Sequence, residues 1–123
     1  MEMKCVLDTN FIIYLVEKKV DIFSCLCEYG KPKFYITRAV LDEIKKITKN
    51  KGSKGKNARA ALKLIEELGI KVLKYNSDAD KSLIVAAKEL GMFLCTHDRK
   101  LIDIGKKTGI KIVMLRGKGI IIK

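Results

Sequence analysis

Tryptophan and glutamine are absent from this 123-residue chain, and proline and histidine occur once each, as Pro32 and His97. Each shortage removes a class of function. One histidine and four cysteines (Cys5, Cys25, Cys27 and Cys95) with no Cys-x-x-Cys spacing leave no ligand set of the kind structural zinc uses. Tyr14, Tyr29, Tyr35 and Tyr75 are too scattered to form a stacking platform for bases. No apolar run approaches the roughly 20 residues that a membrane-crossing helix needs, and Met1-Glu2-Met3-Lys4 leads straight into strand-like sequence without a signal peptide. A soluble, cytoplasmic chain with no membrane partner is the expectation. Also missing are a Gly-x-Gly-x-x-Gly turn for a dinucleotide and a P-loop, since Gly55-Lys56 lacks the upstream glycine and is followed by Asn57. Leu73-Lys74-Tyr75 offers no acceptor aspartate for a phospho-receiver domain. Acidic charge is scarce: 14 Asp and Glu face 26 Lys and Arg, a net +12 that favours a polyanionic partner, nucleic acid before anionic membrane.

What is present is enough for a core. With 48% hydrophobic residues over 123 positions, the chain reads as a single domain spanning 1–123. The abundance of Lys and Ile resembles the bias of heat-adapted proteins. Along the sequence, Met3 to Leu7 reads as a short buried strand stopped by Asp8-Thr9-Asn10, followed by helices over Phe11 to Val16 and Ile22 to Glu28. Phe34 to Ile36 is a second strand, and Thr37 is a fitting N-cap for a helix to Ile47 with Val40, Ile44 and Ile47 on one stripe. The run from Lys49 to Arg59 has five basic residues and no acid, so a mobile loop is expected there. Ala60 to Leu68 is helical, Ile70 to Leu73 a strand, and Ser77-Asp78-Ala79-Asp80 opens a helix that Gly91 closes. Met92 to Cys95 is a fourth strand, Asp98 starts a helix ending near Gly109, and Ile110 to Leu115 is a fifth strand with a small sixth at Gly119 to Ile122. Apolar strands alternating with helices imply a parallel sheet covered on both faces, an α/β fold whose site lies beyond the carboxyl ends of the strands.

That rule gathers the acids. Asp8 directly follows the first strand, Asp98 follows the fourth, and Asp80 lies in the first turn of the helix leading into the fourth. On its own helix Glu43 falls beside the apolar stripe and faces inward, whereas Asp42 points to water. Carboxylates placed on one edge of a basic chain repel unless a cation sits between them, and all-oxygen ligands favour Mg²⁺ or Mn²⁺ over zinc. Such a site suits phosphodiester hydrolysis. Each acid has a plainer reading: Asp8, Asp80 and Asp98 stand where helices begin and where a carboxylate caps free N–H groups, and Glu43 suits a tolerated edge position.

Asp8-Thr9-Asn10, Val40-Leu41-Asp42-Glu43, Ala79-Asp80-Lys81-Ser82-Leu83 and Thr96-His97-Asp98 resemble, in order and spacing, the successive motifs of PIN-domain nucleases. The Lys/Gly run at 49–59 and the ending Val113-Met114-Leu115-Arg116-Gly117-Lys118 are similar to the archaeal group related to the Fcf1 and Utp24 ribosomal RNA processing factors, with VapC-like toxins the neighbouring group. The resemblance implies a three-layer α/β/α sandwich with strand order 3-2-1-4-5 and Mg²⁺- or Mn²⁺-dependent cleavage of RNA at the 3′ oxygen. It implies Asp8, Glu43, Asp80 and Asp98 as metal-site acids, with Thr96 and Asn10 orienting them. The family often pairs two acids where Lys81 follows Asp80 here, which makes Asp78 the candidate substitute.

Lys49, Lys51, Lys54, Lys56 and Arg59 are the candidate RNA contacts, because flexible cations neutralise phosphates without reading sequence. His97 is expected to be structural, and Cys5 and Cys95 to lie close in the core. The function expected is an endoribonuclease of ribosomal RNA processing or of toxin type, with RNA as substrate and a second copy, an antitoxin or a ribosome-assembly factor as partner. The competing reading is a non-cleaving RNA-binding module for ribosome assembly.

Overall fold

The computed structural model describes all residues, 1–123. The elements run β1 (Glu2–Leu7), α1 (Thr9–Lys18), α2 (Ile22–Cys27), β2 (Lys31–Thr37), α3 (Arg38–Ile47), α4 (Ser53–Glu67), β3 (Lys71–Leu73), α5 (Ala79–Leu90), β4 (Phe93–Cys95), α6 (Arg99–Lys107), β5 (Ile112–Arg116) and β6 (Gly119–Ile122). They form one sheet of order β3-β2-β1-β4-β5-β6. The first five strands pair in parallel, and β6 returns antiparallel to β5 through the turn that pairs Arg116 with Gly119. The expected order 3-2-1-4-5 is therefore present, with β6 added at the edge.

Parallel strands need crossovers, and right-handed crossovers send the two halves of the chain to opposite faces. From β1 to β3 the chain moves one way across the sheet and lays down α1 to α4; from β4 it moves the other way, with α5 and α6 opposite. Packing agrees: α4 lies against α1 and α3, and α5 lies against α6. Between the layers Val6, Leu7, Phe34, Ile36, Leu94, Ile112 and Val113 fill the sheet interior. No helix is long and apolar enough to cross a membrane.

The expected loop at 49–59 is mostly helix. α4 starts at Ser53, and only the few residues after α3 connect the two. Lys and Gly favour a loop in isolation, but here the small residues are held by packing. Gly55, Ala58 and Ala61 are buried on the inner face of α4, and a Cβ built on Gly55 would fall onto the Asn50 carbonyl oxygen. Glycine there lets the helix start press against the connection, while the lysines lie on the outer face. Arg59 Nη1 donates to the Thr48 carbonyl at 2.8 Å and ties off the end of α3. Arg59 thus has a bond within the fold, while Lys49, Lys51, Lys54 and Lys56 are exposed and outside every ion pair.

Candidate active site

The site grows from the contact between β1 and β4. Leu7 pairs in register with Cys95, and the Asp8 N–H donates to the Cys95 carbonyl at 3.1 Å, so the chains emerging from both strands stay together past the sheet. This is where the strand order reverses, the location at which open parallel sheets hold their ligands. Cys5 and Cys95 do lie next to each other beneath it; both are free thiols, and burial with the Cys5 neighbour raises the Cys95 thiol well above its ordinary value.

Asp8 stands at the N-cap position of α1, yet its side chain makes no capping bond. Its Oδ2 accepts from the Thr96 hydroxyl at 2.8 Å. The same Thr96 oxygen accepts the Asp98 N–H at 3.0 Å, which commits the hydroxyl proton to Asp8. Thr96 is fully buried and joins the first acid to the last. Asp98 does cap: its Oδ1 accepts the N–H groups of Lys100 and Leu101 at 2.9 and 3.1 Å. That leaves its other oxygen free toward solvent. Capping thus accounts for half of Asp98 and for none of the Asp8 carboxylate.

Asp80 is not the cap of its helix either. The Asp78 carboxylate accepts the Lys81 N–H at 3.0 Å and caps α5, so Ser77 is outside the helix start and Asp80 sits in the first turn. Asp78, the candidate substitute acid, uses one oxygen as that cap and, like Asp98, leaves the other free. Glu43 differs from expectation: it is exposed, as is Asp42, and only Val40 and Ile44 of α3 are buried. The apolar stripe is narrower than a helical wheel suggests, which leaves a residue at its margin in solvent. Asn10, expected to orient the acids, is exposed and makes no hydrogen bond to any of them.

Electrostatically the acids feel one another. Burial, then Asp80 and Asp98, push the Asp8 carboxyl from 3.8 up to about 6, against the Thr96 hydrogen bond and the nearby Thr9 backbone N–H, which lower it. Asp80 is also raised, by burial first and then by Asp98, Asp78 and Glu43, with Lys100 alone pulling the other way. This donor set of hard oxygens, with one oxygen free on each of Asp8 and Asp98 and both free on Asp80 and Glu43, fits a hard divalent cation. No three acidic side chains converge closely enough to ligate one ion together. As placed, at most two of the carboxylates could ligate one ion directly, so water or movement of the other acids would have to complete its shell.

A contact missed by sequence reasoning links the two helices that carry Glu43 and Asp80. Ser82, fully buried, donates to the Ala79 carbonyl at 2.7 Å and lies 2.8 Å from the Thr37 hydroxyl, which must then donate to it. Thr37 in turn accepts the Val40 N–H and caps α3. The only signal in the sequence is a serine two residues past Asp80 that is buried with Leu83 and Ala86, which an ordinary small core residue gives as well. His97 is structural, as expected. Its Nε2 accepts the Leu115 N–H at 2.9 Å, and its ring stacks on Phe11 at 5.3 Å.

Comparison with known proteins comes to the same region of fold space. The sequence profile described as PIN like domain matches residues 5–118. Ribonuclease VapC9 of Archaeoglobus fulgidus is 36% identical over 117 residues, covering 94% of this chain and 85% of the relative. The solved PIN domain endonuclease Utp24 superposes with a TM-score of 0.81 at 24% identity, over 98% of this chain and 90% of that one. VapBC-1 from nontypeable Haemophilus influenzae superposes with a TM-score of 0.62 at 20% identity, over 89% of this chain and 96% of that one. The two structural likenesses establish the fold.

Proposed function

The chain belongs to the PIN like domain family, and on that premise we propose that it is an Mg²⁺- or Mn²⁺-dependent endoribonuclease whose ion is bound in the acidic pocket of Asp8, Glu43, Asp80 and Asp98, in part through its own waters. The observation that carries this reading is Asp8: a buried carboxylate at the switch point, unused as a cap, bonded to Thr96 and raised to about 6 by burial and two neighbouring acids. A structural aspartate has no reason to be placed at such cost. The ion, when bound, activates a water and offsets charge on the phosphate oxygens.

The chain's own groups do the rest. Asp8 presents one oxygen while Thr96 fixes the other, and Asp98 presents one while the start of α6 holds its partner. Asp80 and Glu43 approach from α5 and α3 with free carboxylates. Lys100 is the cation that offsets the charge of Asp80. The surplus of basic residues, including exposed Lys49, Lys51, Lys54 and Lys56, holds the RNA backbone by charge. The setting that the 36% identical ribonuclease supports is a toxin-type enzyme with an antitoxin partner, with ribosomal RNA processing as the other setting.

The test is a fluorogenic RNA assay with Mn²⁺ or Mg²⁺, with chelator, and with Asp8→Asn. Cleavage lost on chelation and on substitution is expected. Cleavage indifferent to both would remove the mechanism, and RNA binding without any cleavage by the unaltered protein would establish the non-cleaving module instead.

A further inference from the structure

The largest hollow on the surface, 590 Å³, does not lie over the four carboxylates. It is lined by Arg38 and Asp42 of α3, Val72 and Leu73 of β3, and Lys74 and Asn76 of the connection to α5. Leu73 pairs in register with Thr37, so Arg38 and Lys74 are the first residues past the carboxyl ends of adjacent strands. The same two segments go on to carry Glu43 and Asp80. The groove therefore prolongs the site edge from β1 across β2 to β3, a shift of two strand spacings, about 10 Å.

Its size falls within the roughly 300 to 1,000 Å³ of ligand sites. Its chemistry is a guanidinium, an ammonium, an amide and one opposing carboxylate. Arg38 Nε lies 3.4 Å from Asp42 Oδ1, both side chains about half exposed, a weak pair that a phosphate can displace. No other acid lines the groove. Resting on the ribonuclease reading, we propose that this groove is the subsite for a nucleotide next to the scissile phosphate. Arg38 and Lys74 hold the phosphodiester, Asn76 hydrogen-bonds the base edge, and Asp42 is a tether that competes with RNA for Arg38.

The tether gives the proposal two effects of opposite sign. In the full chain with Mn²⁺ and a fluorogenic RNA, Arg38→Ala raises KM about tenfold at unchanged kcat, the size of one charge-assisted phosphate bond. It also lowers the slope of log affinity against log salt by about 0.7, the share of one phosphate on a single strand. Asp42→Asn lowers KM about threefold. Glu28→Gln, the same charge change on an exposed residue between α2 and β2, leaves KM unaltered. Asn76→Ala flattens base preference at one position beside the cut. An unchanged KM and salt slope in Arg38→Ala, or equal shifts in Asp42→Asn and Glu28→Gln, would overturn the subsite while leaving the ribonuclease intact. If the unaltered protein cuts no RNA, the ribonuclease reading falls and binding decides the groove alone. Anisotropy of a fluorescein-labelled single-stranded oligoribonucleotide in chelator would then keep it as an RNA site if Arg38→Ala weakens binding about tenfold, and reject it if the affinities match.

Discussion

The two halves of the acid site are built differently. The strand half, Asp8 and Asp98, is locked: Thr96 bonds to both, and Asp98 is further fixed by the start of α6. The helix half, Glu43 and Asp80, is exposed, and neither carboxylate has a hydrogen bond; only the helices beneath are joined, through Thr37 and Ser82. The difference assigns roles. Carboxylates already fixed by hydrogen bonds, with Asp8 buried, suit the chemical step, and free side chains at the rim would close on an ion as it binds. Disturbing the strand half should then lower the rate at any metal concentration, and disturbing the helix half should change how much metal is needed.

The largest effect belongs to Asp8. Asp8→Asn is expected to reduce cleavage by about 10³-fold or more, the scale seen when a catalytic group is removed. Without metal the same change should stabilise the fold above neutral pH. The Asp8 carboxyl rises from 3.8 to about 6 on folding, so between those values the folded state binds more protons than the unfolded one. Stability from this group is therefore present at low pH and lost as pH rises through about 6. The loss is on the order of 2 to 3 kcal/mol, and Asp8→Asn removes it. Urea midpoints at pH 5 and pH 8 in chelator check this: parallel pH dependence in both proteins would mean that Asp8 is not strained. Mn²⁺ should restore stability to the unaltered protein, about 2.7 kcal/mol at a hundred times its dissociation constant.

Two neighbouring threonines sharpen the comparison within the strand half. Both are fully buried beside Asp8, but Thr96 bonds to it whereas the Thr9 hydroxyl has no partner. Thr96→Val should cost about 10- to 100-fold in activity at saturating metal, the usual penalty for removing a group that orients a ligand. Thr9→Val should leave activity alone and stabilise the fold by about 1 kcal/mol, because an unsatisfied hydroxyl leaves the interior. Similar activity losses in both would show that burial near Asp8, and not the bond, is what matters.

The strand half was also the legible half. Asp8 and Asp98 follow short apolar runs, so the sequence places them on one edge without knowledge of packing. Thr96 followed from the resemblance to PIN nucleases, and its bond to Asp8 is the geometry that such a role requires. The helix half depends on tertiary detail. Glu43 sits at the margin of a stripe whose width is set by the neighbours of α3, and Asn10 is on the outer side of the first turn of α1. Ser82 carried no local signal strong enough to separate a bridge from an ordinary small residue. The start of α4 was hidden for the same reason: Gly55 matters through the Asn50 carbonyl it approaches, a contact that no propensity encodes.

The smallest effect tests the helix half. Ser82→Ala removes the acceptor of the Thr37 hydroxyl and the bond to Ala79, and leaves Thr37 buried with its proton unplaced. A stability loss of about 1 to 2 kcal/mol is expected. The more telling readout is the metal requirement. With α3 and α5 no longer joined, Glu43 and Asp80 must be gathered by the ion itself, so the Mn²⁺ concentration for half-maximal cleavage should rise about threefold, a cost of about 0.6 kcal/mol. At saturating Mn²⁺ kcat should stay within a factor of two, because Asp8, Thr96 and Asp98 keep every bond between them. Thr96→Val should do the reverse, lowering kcat most. A fall in kcat for Ser82→Ala as deep as that for Thr96→Val would make the acids one rigid unit and erase the distinction between the halves.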